Sequence, residues 1–553
     1  MDTQVLQLDP KDNVLIALRD LAAGETVHYA GQQYVLPSAV PAKHKFVMQE
    51  RAAGDAVFMY GVIVGRAREP IPRGGVLTTR NLRHDANSYS NVRSNDAWSQ
   101  TWKGPDVTPW RQRRFLGYRR PDGQVGTRNY WLVVPLVFCE NRNVDVLRQA
   151  FEEELGYAQP QVYRHQVARL AELYRQGKVE EIQQAGAQIP DGAGAAHPVF
   201  PNVDGVRFLT HQAGCGGTRE DANNLCGLLA GYIHNPNVAG ATVLSLGCQN
   251  AQASTLVEEL KRRDPAMHKP LLVFEHQKTG LESEMLTQAV RETFLGLAKA
   301  NQCAREPAGL EHLTVGLKCG GSDGFSGISA NPALGYMADM LAELKGKGIL
   351  AEFPELCGME QNLIDRCVSQ QVADRFVELM RDYAARAKAV HSGFEMNPSP
   401  GNIQDGLITD AIKSAGAARK GGNSPVTDVL DYPEYATRAG LNLLCTPGND
   451  VECVTAQVAA GANLVCFTTG LGTPTGNPIA PVIKIATNNA LARKMHDIID
   501  WNAGSIVTGE HTIEQMGEKL LEFVIEVASG RVKTKAELLA QYDFIPWKRG
   551  VSL

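Results

Sequence analysis

Residues 313–353 have the sequence LTVGLKCGGSDGFSGISANPALGYMADMLAELKGKGILAEF. The apolar run LTVGLK has the length of a strand. A glycine-rich turn separates it from NPALGYMADMLAELKGKG, which has helical periodicity and a terminal glycine stop. The apolar run ILAEF follows directly. A strand, a helix and a second strand in this order predict a parallel sheet that is covered by helices.

The same alternation extends from about residue 115 to the end of the chain. Its other apolar runs are YWLVVPLVF, GVRFLT, ATVLSLG, PLLVFEH, LNLLC, NLVCFTT and PVIKIA. We therefore predict an α/β protein with two parallel-sheet, Rossmann-like units, over residues 115–310 and 311–553. Residues 155–200, which contain PDGAGAAHP, are expected to form a helical insertion and a loop.

The first 95 residues have a different pattern. They contain short β-type segments with glycine and proline between them: NVLIAL, ETVHYAGQQYVL, HKFVMQ, AVFMYGVIVGRA and GGVLTT. This pattern predicts a small β-rich domain over residues 1–95. Residues 96–114 belong to a polar stretch without a clear period and are interpreted as a linker.

Composition excludes several classes of protein. The net charge is −5, and 44% of the residues are hydrophobic, which is ordinary for a globular chain. Lysine and arginine are dispersed, so the basic stripe of a nucleic-acid-binding protein is absent. Neither a signal peptide nor an apolar run long enough for a membrane helix is present. We expect a cytoplasmic homo-oligomer with no nucleic-acid or membrane partner.

Four of the 11 cysteines end apolar runs: Cys139, Cys215, Cys248 and Cys319. Ligands of parallel sheets bind beyond the carboxyl ends of the strands. These four thiols are therefore expected to face one crevice and to include the ligands of a metal. The alternative is that each is a buried small hydrophobic residue.

Other polar residues lie close to these strand ends. His211, four residues before Cys215, is a candidate acid, base or metal ligand; the alternative is a buried structural histidine. Ser322, Asp323 and Ser326 in the turn CGGSDGFSGISANP suit a carboxylate, a hydroxyl or a metal, and the alternative is helix capping. The turn TTGLGTPTGNP lacks the GxGxxG spacing of a dinucleotide site.

Several longer motifs together resemble the altronate/galactarate dehydratase family. They are GYRRPDGQVGTRN (117–129), HQAGCGG (211–217), LGCQN (246–250), CGGSDGFSGISANPALG (319–335), NPSPGN (397–402), TPGND (446–450) and PVIKIATN (481–488). Residues 12–70 resemble the small SAF domain that precedes the catalytic region in this family. The resemblance covers nearly the whole chain.

The resemblance implies a hydro-lyase that converts a sugar acid, a hexonate or a hexarate, to a 2-keto-3-deoxy acid. It also implies a divalent metal, commonly Fe2+, with Mn2+ as a substitute. Independently of the resemblance, the four thiols are soft ligands that suit an iron–sulfur cluster, and a mononuclear iron site with histidine and oxygen ligands is the alternative. The metal would assist abstraction of the α-proton and loss of the C3 hydroxyl. Candidate acid and base groups are His211, Asp323, Glu360, Asp450 and His44. Candidate substrate-binding residues are Arg128, Asn129, Ser322, Ser326, Asn402 and Lys484.

The chain departs from the family at several positions. Ala213, Leu471 and Thr475 stand where many members have Tyr, Arg and Tyr, and LTTRN (77–81) replaces an HxHN-like motif. Arginine grips a carboxylate bidentately and leucine does not, so the far end of the substrate is expected to differ. PELCGMEQ resembles altronate dehydratases, whereas WNAGSIVTGEHTIEQMGEKL resembles galactarate dehydratases.

Three other functions remain open at this point. A sulfo-lyase or another β-eliminating lyase shares the scaffold. An NAD-dependent dehydrogenase is suggested only by the α/β alternation, which is poor evidence of function. A non-catalytic sugar-acid sensor is the third alternative.

Overall fold

A computed structural model describes residues 4–94, 98–158, 162–185 and 198–550. These residues form a β-rich N-terminal unit, a middle unit and a C-terminal unit, the last two built on parallel sheets. The predicted fold class is confirmed. Among the described helices, none combines the length and the apolar content that crossing a membrane requires.

The N-terminal unit consists of short antiparallel strands. They are β1 (Val5–Leu6), β2 (Val14–Ala17), β3 (Thr26–Tyr29), β4 (Gln32–Val35), β5 (Lys45–Val47), β6 (Ala56–Met59), β7 (Val62–Ala67) and β8 (Leu82–Arg83). The predicted strand GGVLTT instead contains a turn, in which Gly75 N donates to Pro72 O at 2.8 Å. Only an isolated bridge between Phe46 and Val76 remains of it in the described chain.

The stretch after β8 runs along the C-terminal unit. It contains helix α1 (Trp98–Thr101) and a 3-10 helix (Thr108–Trp110). Ser90 N donates to Gln361 Oε1 at 3.1 Å, and Ser94 N donates to Asp365 Oδ1 at 2.8 Å. These bonds attach the stretch to the surface of the C-terminal unit.

The middle unit is built on a parallel sheet with the strand order β12-β11-β13-β14. Its strands are β11 (Tyr130–Pro135), β12 (Gly205–Phe208), β13 (Val238–Ser245) and β14 (Leu271–Glu275). Its helices are α2 (Asn141–Glu154), α3 (Val162–Arg175), α4 (Val179–Ile182), α5 (Arg219–His234), α6 (Ala253–Arg263), α7 (His276–Thr279) and α8 (Glu282–Ala300), with a 3-10 helix at Phe138–Glu140. Helices α3 and α4 lie in the predicted insertion; most of PDGAGAAHP lies outside the described residues.

A small antiparallel sheet joins the two ends of the middle unit, and the sequence did not predict it. Its strands are β9 (Arg114–Arg119), β10 (Val125–Gly126) and β15 (Arg305–Gly309). Strand β15 pairs with β9 so that Arg305 lies opposite Tyr118. Charged residues, glycine and proline interrupt these segments, so they lack the apolar runs that identified the buried strands.

In residues 310–550 a parallel sheet has the order β18-β19-β17-β16-β20-β21-β22. Its strands are β16 (Thr314–Cys319), β17 (Lys347–Leu350), β18 (Val426–Leu430), β19 (Gly440–Leu444), β20 (Leu464–Thr469), β21 (Val482–Ala486) and β22 (Trp501–Asn502). Its helices are α9 (Ala330–Glu343), α10 (Glu360–Arg366), α11 (Gln370–Ala389), α12 (Pro400–Gln404), α13 (Asp410–Ala418), α14 (Asp450–Ala459), α15 (Asn489–Lys494), α16 (Gly504–Val507), α17 (Ile513–Ala528) and α18 (Lys535–Leu538). Its 3-10 helices are Leu310–His312, Phe353–Leu356, Phe394–Met396 and Arg419–Gly421. Residues 313–353 thus supply the central strand β16, helix α9 and the neighbouring strand β17.

The two parallel sheets share one hydrophobic core. Residues of α5 and α14 pack together between them, in one buried cluster with residues of both sheets. A Cβ atom at Gly231 of α5 would lie 2.2 Å from the carbonyl oxygen of Ala459. Glycine is therefore required for this close approach of the two helices.

Candidate functional site

The central strand β16 ends in a buried lysine. Lys318 Nζ donates to the carbonyl oxygens of Cys319 at 2.7 Å and Gly448 at 3.0 Å. It also pairs with Glu352 and, at 2.9 Å, with Asp450. Charged side chains are rarely buried unless they are paired. A paired, buried lysine at the end of an apolar strand therefore indicates a functional site.

Two glutamates follow strand β17 and complete the charged cluster. Glu352 adopts a left-handed backbone conformation with φ 68° and accepts from Lys420 Nζ at 2.8 Å. Glu355 accepts from Lys413 Nζ at 2.9 Å. We refer to these residues as the charged nest: Lys318, Lys413, Lys420, Glu352 and Glu355. With Asp450, which also pairs with Lys318, the three ammonium groups of the nest face three carboxylates.

Cys319 lies inside the charged nest. Its Sγ is 3.2 Å from Lys420 Nζ and 3.5 Å from Glu355 Oε2. Burial, reinforced by Glu352, raises the pKa of the Cys319 thiol to about 12. The sulfur therefore keeps its proton at neutral pH.

The lysines keep Glu355 ionised. Burial alone would raise its pKa, but the ammonium groups of Lys413, Lys318 and Lys420 lower the pKa to about 2. In return, Glu355 offsets the burial of Lys413 and raises the pKa of that lysine. Glu355 and Lys413 are thus both charged at neutral pH.

A cavity of about 760 Å³ opens beside the nest. Cys319, Glu355 and Lys413 lie on its wall, together with residues that the sequence singled out: Ser322, Asn402 and Asp450. Other basic and polar residues of the lining are Arg386, Asn397, Lys548 and Arg549. A pocket of this size with several converging polar groups accommodates a small polar ligand.

Asp410, which the sequence did not single out, lies next to the nest. Burial and then Glu355 raise the pKa of Asp410 to about 8. Asn397 of the cavity wall connects it to the nest: its Nδ2 donates to Asp410 Oδ1 at 3.4 Å, and its Oδ1 accepts from Lys413 Nζ at 3.2 Å. In the sequence, the feature that could have revealed the nest is a charged residue inside an apolar run, as at Lys318.

Glu360, a predicted acid or base, lies at the start of α10. It is 4% exposed, and Gly358 N donates to its Oε2 at 2.6 Å. Burial raises the pKa of Glu360 to about 7. Within the described chain it is absent from the cavity wall and lies near Cys357.

Asp323 and Ser326 do not belong to the described cavity wall either. Asp323 is fully buried and accepts from Ser326 Oγ and Thr487 Oγ1, both at 3.1 Å. Lys43 of the N-terminal unit pairs with it at 3.1 Å. Asp323 therefore connects the glycine-rich turn with the N-terminal unit.

His44 also lies at this junction. Its Nε2 is 3.0 Å from Gln404 O in α12, the helix that carries Asn402. Asn402 Nδ2 donates to Ser322 O at 2.8 Å. The N-terminal unit thus supports one wall of the cavity through α12. Burial lowers the pKa of His44.

Three predicted substrate-binding residues are engaged elsewhere. Arg128 forms a bidentate pair with Glu537, at 2.6 and 2.9 Å. Asn129 lies at the amino end of β11, where its Nδ2 donates to Asn202 O at 2.7 Å. Lys484 Nζ donates to Gln541. These contacts join chain segments away from the described cavity. None of the three residues lines the cavity wall, so their predicted roles in substrate binding have no support from it.

The four strand-end cysteines divide into a group of three and one separate residue. Cys139, Cys215 and Cys248 follow neighbouring strands of the middle sheet and are exposed. Burial, then the adjacent Cys215 and Cys248 thiols, raises the pKa of Cys139, whose thiol contacts Cys215. Cys319 ends a strand of the other sheet and contacts charged groups instead. Cys319 therefore has its described contacts in the charged nest, and the meeting of all four thiols stays a prediction.

His211 lies beneath the three cysteine loops. Its Nε2 is 2.8 Å from Pro135 O, and Ala213 N donates to its Nδ1 at 3.2 Å. The imidazole is 5% exposed, and burial lowers its pKa. With both nitrogens bonded to the backbone, its contacts are those of a neutral structural histidine.

The two departures in GLGTPTG lie outside the described cavity wall. Leu471 N donates to Gly321 O at 2.9 Å, while its side chain is 38% exposed. Thr475 is buried. The expectation that these positions alter the far end of the substrate therefore has no support from the lining of this cavity.

Family models cover almost all of the chain. Residues 3–85 match the altronate/galactarate dehydratase SAF domain. Residues 117–301 match the second domain of D-galactarate dehydratase/altronate hydrolase, and residues 310–552 match the C-terminal region of D-galactarate/altronate dehydratase.

Whole-chain comparisons agree with these matches. The chain is 33% identical to an altronate dehydratase of Bacillus subtilis, over 95% of both chains. It is 32% identical to a galactarate dehydratase (L-threo-forming) of Escherichia coli, over 96% of this chain and 93% of that one. It is 30% identical to the beta subunit of a (2R)-sulfolactate sulfo-lyase of Chromohalobacter salexigens, over 78% of this chain and 97% of that one.

Proposed function

We propose that this chain, which belongs to the D-galactarate/altronate dehydratase family, is a hydro-lyase that converts a hexonate or hexarate to a 2-keto-3-deoxy acid. The observation that carries the proposal is the buried charged nest beside an open cavity. Elimination of water from a sugar acid needs groups that bind a carboxylate and stabilise added negative charge. Ammonium groups in a preorganised, buried position do both.

The lysines are proposed to stabilise the intermediate. Removal of the C2 proton next to a carboxylate leaves a dianionic species, whose charge is attracted by Lys413 on the cavity wall. Lys413 retains its proton because Glu355 accepts from it at 2.9 Å. Lys318 and Lys420 both pair with Glu352, the other carboxylate of the nest, and hold it in place.

Proton transfer is assigned to two aspartates. Asp450 lies on the cavity wall, and we propose it as the base that removes the C2 proton. Asp410 has a pKa of about 8 and is therefore protonated for much of the time at neutral pH. We propose it as the source of the proton that leaves with the C3 hydroxyl: Asp410 is fully buried behind the cavity wall, and Asn397 of that wall contacts its carboxyl group.

The family implies a metal, and two groups of donor residues are candidates to hold one. Among the described residues, two groups bring three donor atoms within 4.8 Å of one another. In one, Cys319, Glu352 and Glu355 are already surrounded by ammonium groups, which repel a cation; this group does not fit. The other comprises His84, Cys357 and Asp410, and Asp410 Oδ2 is buried without a hydrogen-bond partner.

Nitrogen, sulfur and oxygen donors together suit a divalent ion such as Fe2+, so this second group fits. His84, Cys357 and Asp410 would hold the ion, with Mn2+ as a substitute. When bound, the ion would supply Lewis-acid polarisation of a substrate oxygen. Ion binding and protonation exclude each other at Asp410, so its role as proton source applies to the protein without the ion.

A substrate screen tests the proposed function. Anaerobically purified protein supplied with ferrous iron is incubated with a panel of hexonates and hexarates, and 2-keto acid is measured. Sulfolactate is included, with sulfite as its product. We expect 2-keto acid from at least one sugar acid without added nicotinamide. Sulfite release with no activity on any sugar acid would replace the dehydratase with a sulfo-lyase.

A further inference from the structure

Three loops of the middle unit bring cysteines to one place. Cys139, Cys215 and Cys248 follow β11, β12 and β13, whose carboxyl ends lie at one edge of the sheet. Phe138 N donates to Ala213 O at 3.1 Å, which joins the first two loops. Asn250 N donates to Cys215 O, also at 3.1 Å, and joins the third. The backbone therefore fixes the positions of the three loops relative to one another.

Glycine permits the close approach of these loops. Gly214 has φ +96°, and a Cβ atom there would lie 2.0 Å from Leu136 O. In the third loop, Gly247 has φ +125° and packs against Gln277, whose Nε2 donates to Cys248 Sγ at 3.3 Å. Both glycines are needed for the loop geometry that presents the thiols.

The three thiols are accessible, unlike the other cysteines of the described chain. Cys139, Cys215 and Cys248 are exposed, whereas the rest are buried or half-buried. Most cysteines in proteins are buried, so packing does not account for three exposed thiols at one sheet edge. Behind them, the buried Glu140 carboxylate accepts from Asn143 at 2.7 Å and contacts His276 Nδ1 at 3.0 Å.

We propose that Cys139, Cys215 and Cys248 are the protein ligands of an iron–sulfur cluster. Each thiol loses its proton on ligation, and the thiolates are the ligands that such clusters prefer. The proposal stands on the loop geometry and does not rest on the proposed function. The proposed cluster site is separate from the Fe2+ group formed by His84, Cys357 and Asp410, because those three residues lie outside the middle unit.

The three thiols are not all gathered closely enough for one tetrahedral ion, although the Cys139 thiol contacts Cys215. Thiolates on one tetrahedral zinc lie about 3.8 Å apart, given Zn–S bonds of about 2.3 Å. The three cysteines are not among the described groups whose donor atoms all lie within 4.8 Å of one another. A cluster spans a wider separation, on the order of 6 Å, because its own core lies between the sulfurs. Three thiolates would leave one iron of a four-iron cluster open to an oxygen ligand.

Anaerobic reconstitution tests the proposal without relying on activity. The full chain is treated with ferrous iron, sulfide and a thiol reductant and then desalted. Iron, acid-labile sulfide and visible absorption are measured. We expect a brown protein with about four iron and four sulfide per chain, as in a [4Fe–4S] cluster. Each of the variants Cys139→Ala, Cys215→Ala and Cys248→Ala should lose most of the sulfide and of the absorption.

Two control variants show whether the chromophore belongs to these three cysteines. Cys303→Ala removes a half-buried cysteine of the same unit and should retain the full chromophore. His84→Asn removes a ligand of the proposed Fe2+ group and should also retain it. Because the three ligand cysteines are exposed, thermal melting of their alanine variants should match that of Cys303→Ala when all are compared before iron and sulfide are added.

Several outcomes would overturn the proposal. They are a colourless protein without sulfide, equal chromophore loss in Cys303→Ala, or a Cys139–Cys215 disulfide in protein kept anaerobic. Zinc bound in place of iron and sulfide would overturn it as well. Failure of dehydratase activity alone would leave the cluster measurement unaffected, so the two proposals fail separately.

Discussion

At the scale of single residues, Lys413 is the lysine of the charged nest that lies on the cavity wall. Lys413→Met should lower kcat on the order of 10²-fold, since it removes charge stabilisation of the intermediate. Lys299→Met, an exposed change on α8, is the matched control and should leave kcat unchanged.

Lys413→Met is also expected to weaken folding, because Glu355 is left buried without its nearest ammonium. Removing one partner of a buried pair costs about 3–5 kcal/mol. The double variant Lys413→Met/Glu355→Gln should recover much of the melting temperature while its kcat stays low. Recovered activity in the double variant would contradict the role given to Lys413.

Glu360 is expected to make folding stability depend on pH. Its pKa is raised to about 7 by burial, against an ordinary value of 4.5, so the folded state holds the proton more tightly. Stability should therefore fall as the pH rises from about 4.5 to about 7, by an amount on the order of 3 kcal/mol. Glu360→Gln should remove this loss, so its advantage in unfolding free energy should be larger at pH 8 than at pH 5.

An exposed glutamate provides the control for this pH dependence. Glu378 lies on the surface of α11, and Glu378→Gln should change stability equally at both pH values. A Glu360→Gln advantage that is the same at pH 5 and pH 8 would show that its carboxyl group does not titrate as described.

At the scale of elements, the apolar runs identified most buried strands, because parallel strands are covered on both faces. The runs LTVGLK and ILAEF correspond to β16 and β17. Strands β9, β15 and β18 were not predicted, because polar and glycine residues interrupt their apolar pattern. Strand β18 lies at the edge of its sheet, where polar side chains can remain partly exposed, which explains its interrupted apolar pattern.

The packing of α5 on α14 gives a prediction at this scale. Gly231→Ala would place a Cβ atom 2.2 Å from Ala459 O and should destabilise the protein by about 1–3 kcal/mol. Gly401→Ala in α12 is the control, because its nearest neighbour, Ser399 Oγ, would be 4.0 Å away. Urea unfolding measures both. A Gly231→Ala variant as stable as Gly401→Ala would contradict the close helix contact.

At the scale of the whole molecule, the candidate site depends on contacts that no single segment reveals. The sequence placed Cys319, Ser322, Asn402 and Asp450 near one site, and all four line the cavity. It did not predict the charged nest, because Lys413 and Lys420 belong to a helical segment far from β16 in sequence. Long-range ion pairs of this kind follow from tertiary packing and leave no local periodicity. The oligomeric state and the cytoplasmic location stay predictions.

The N-terminal unit is expected to be held on the C-terminal unit by the pair between Lys43 and Asp323. Asp323→Asn removes the buried partner of Lys43 and should increase proteolytic cleavage of the linking stretch by several-fold. Asp405→Asn affects the same lysine, which it contacts at 2.6 Å, but its carboxylate is 29% exposed. Its effect should be smaller, because exposed pairs contribute less. Equal cleavage in both variants would contradict a special role for Asp323.

Proton NMR of the product formed in D2O by the iron-supplied enzyme from its best sugar acid tests dehydration at the charged nest. Elimination across C2 and C3 gives an enol, whose ketonisation takes a hydrogen from solvent at C3. We predict a 2-keto-3-deoxy acid that carries one deuterium at C3, formed without nicotinamide and much more slowly by Lys413→Met. A product without deuterium at C3, or a rate that does not depend on Lys413, would contradict dehydration at the charged nest.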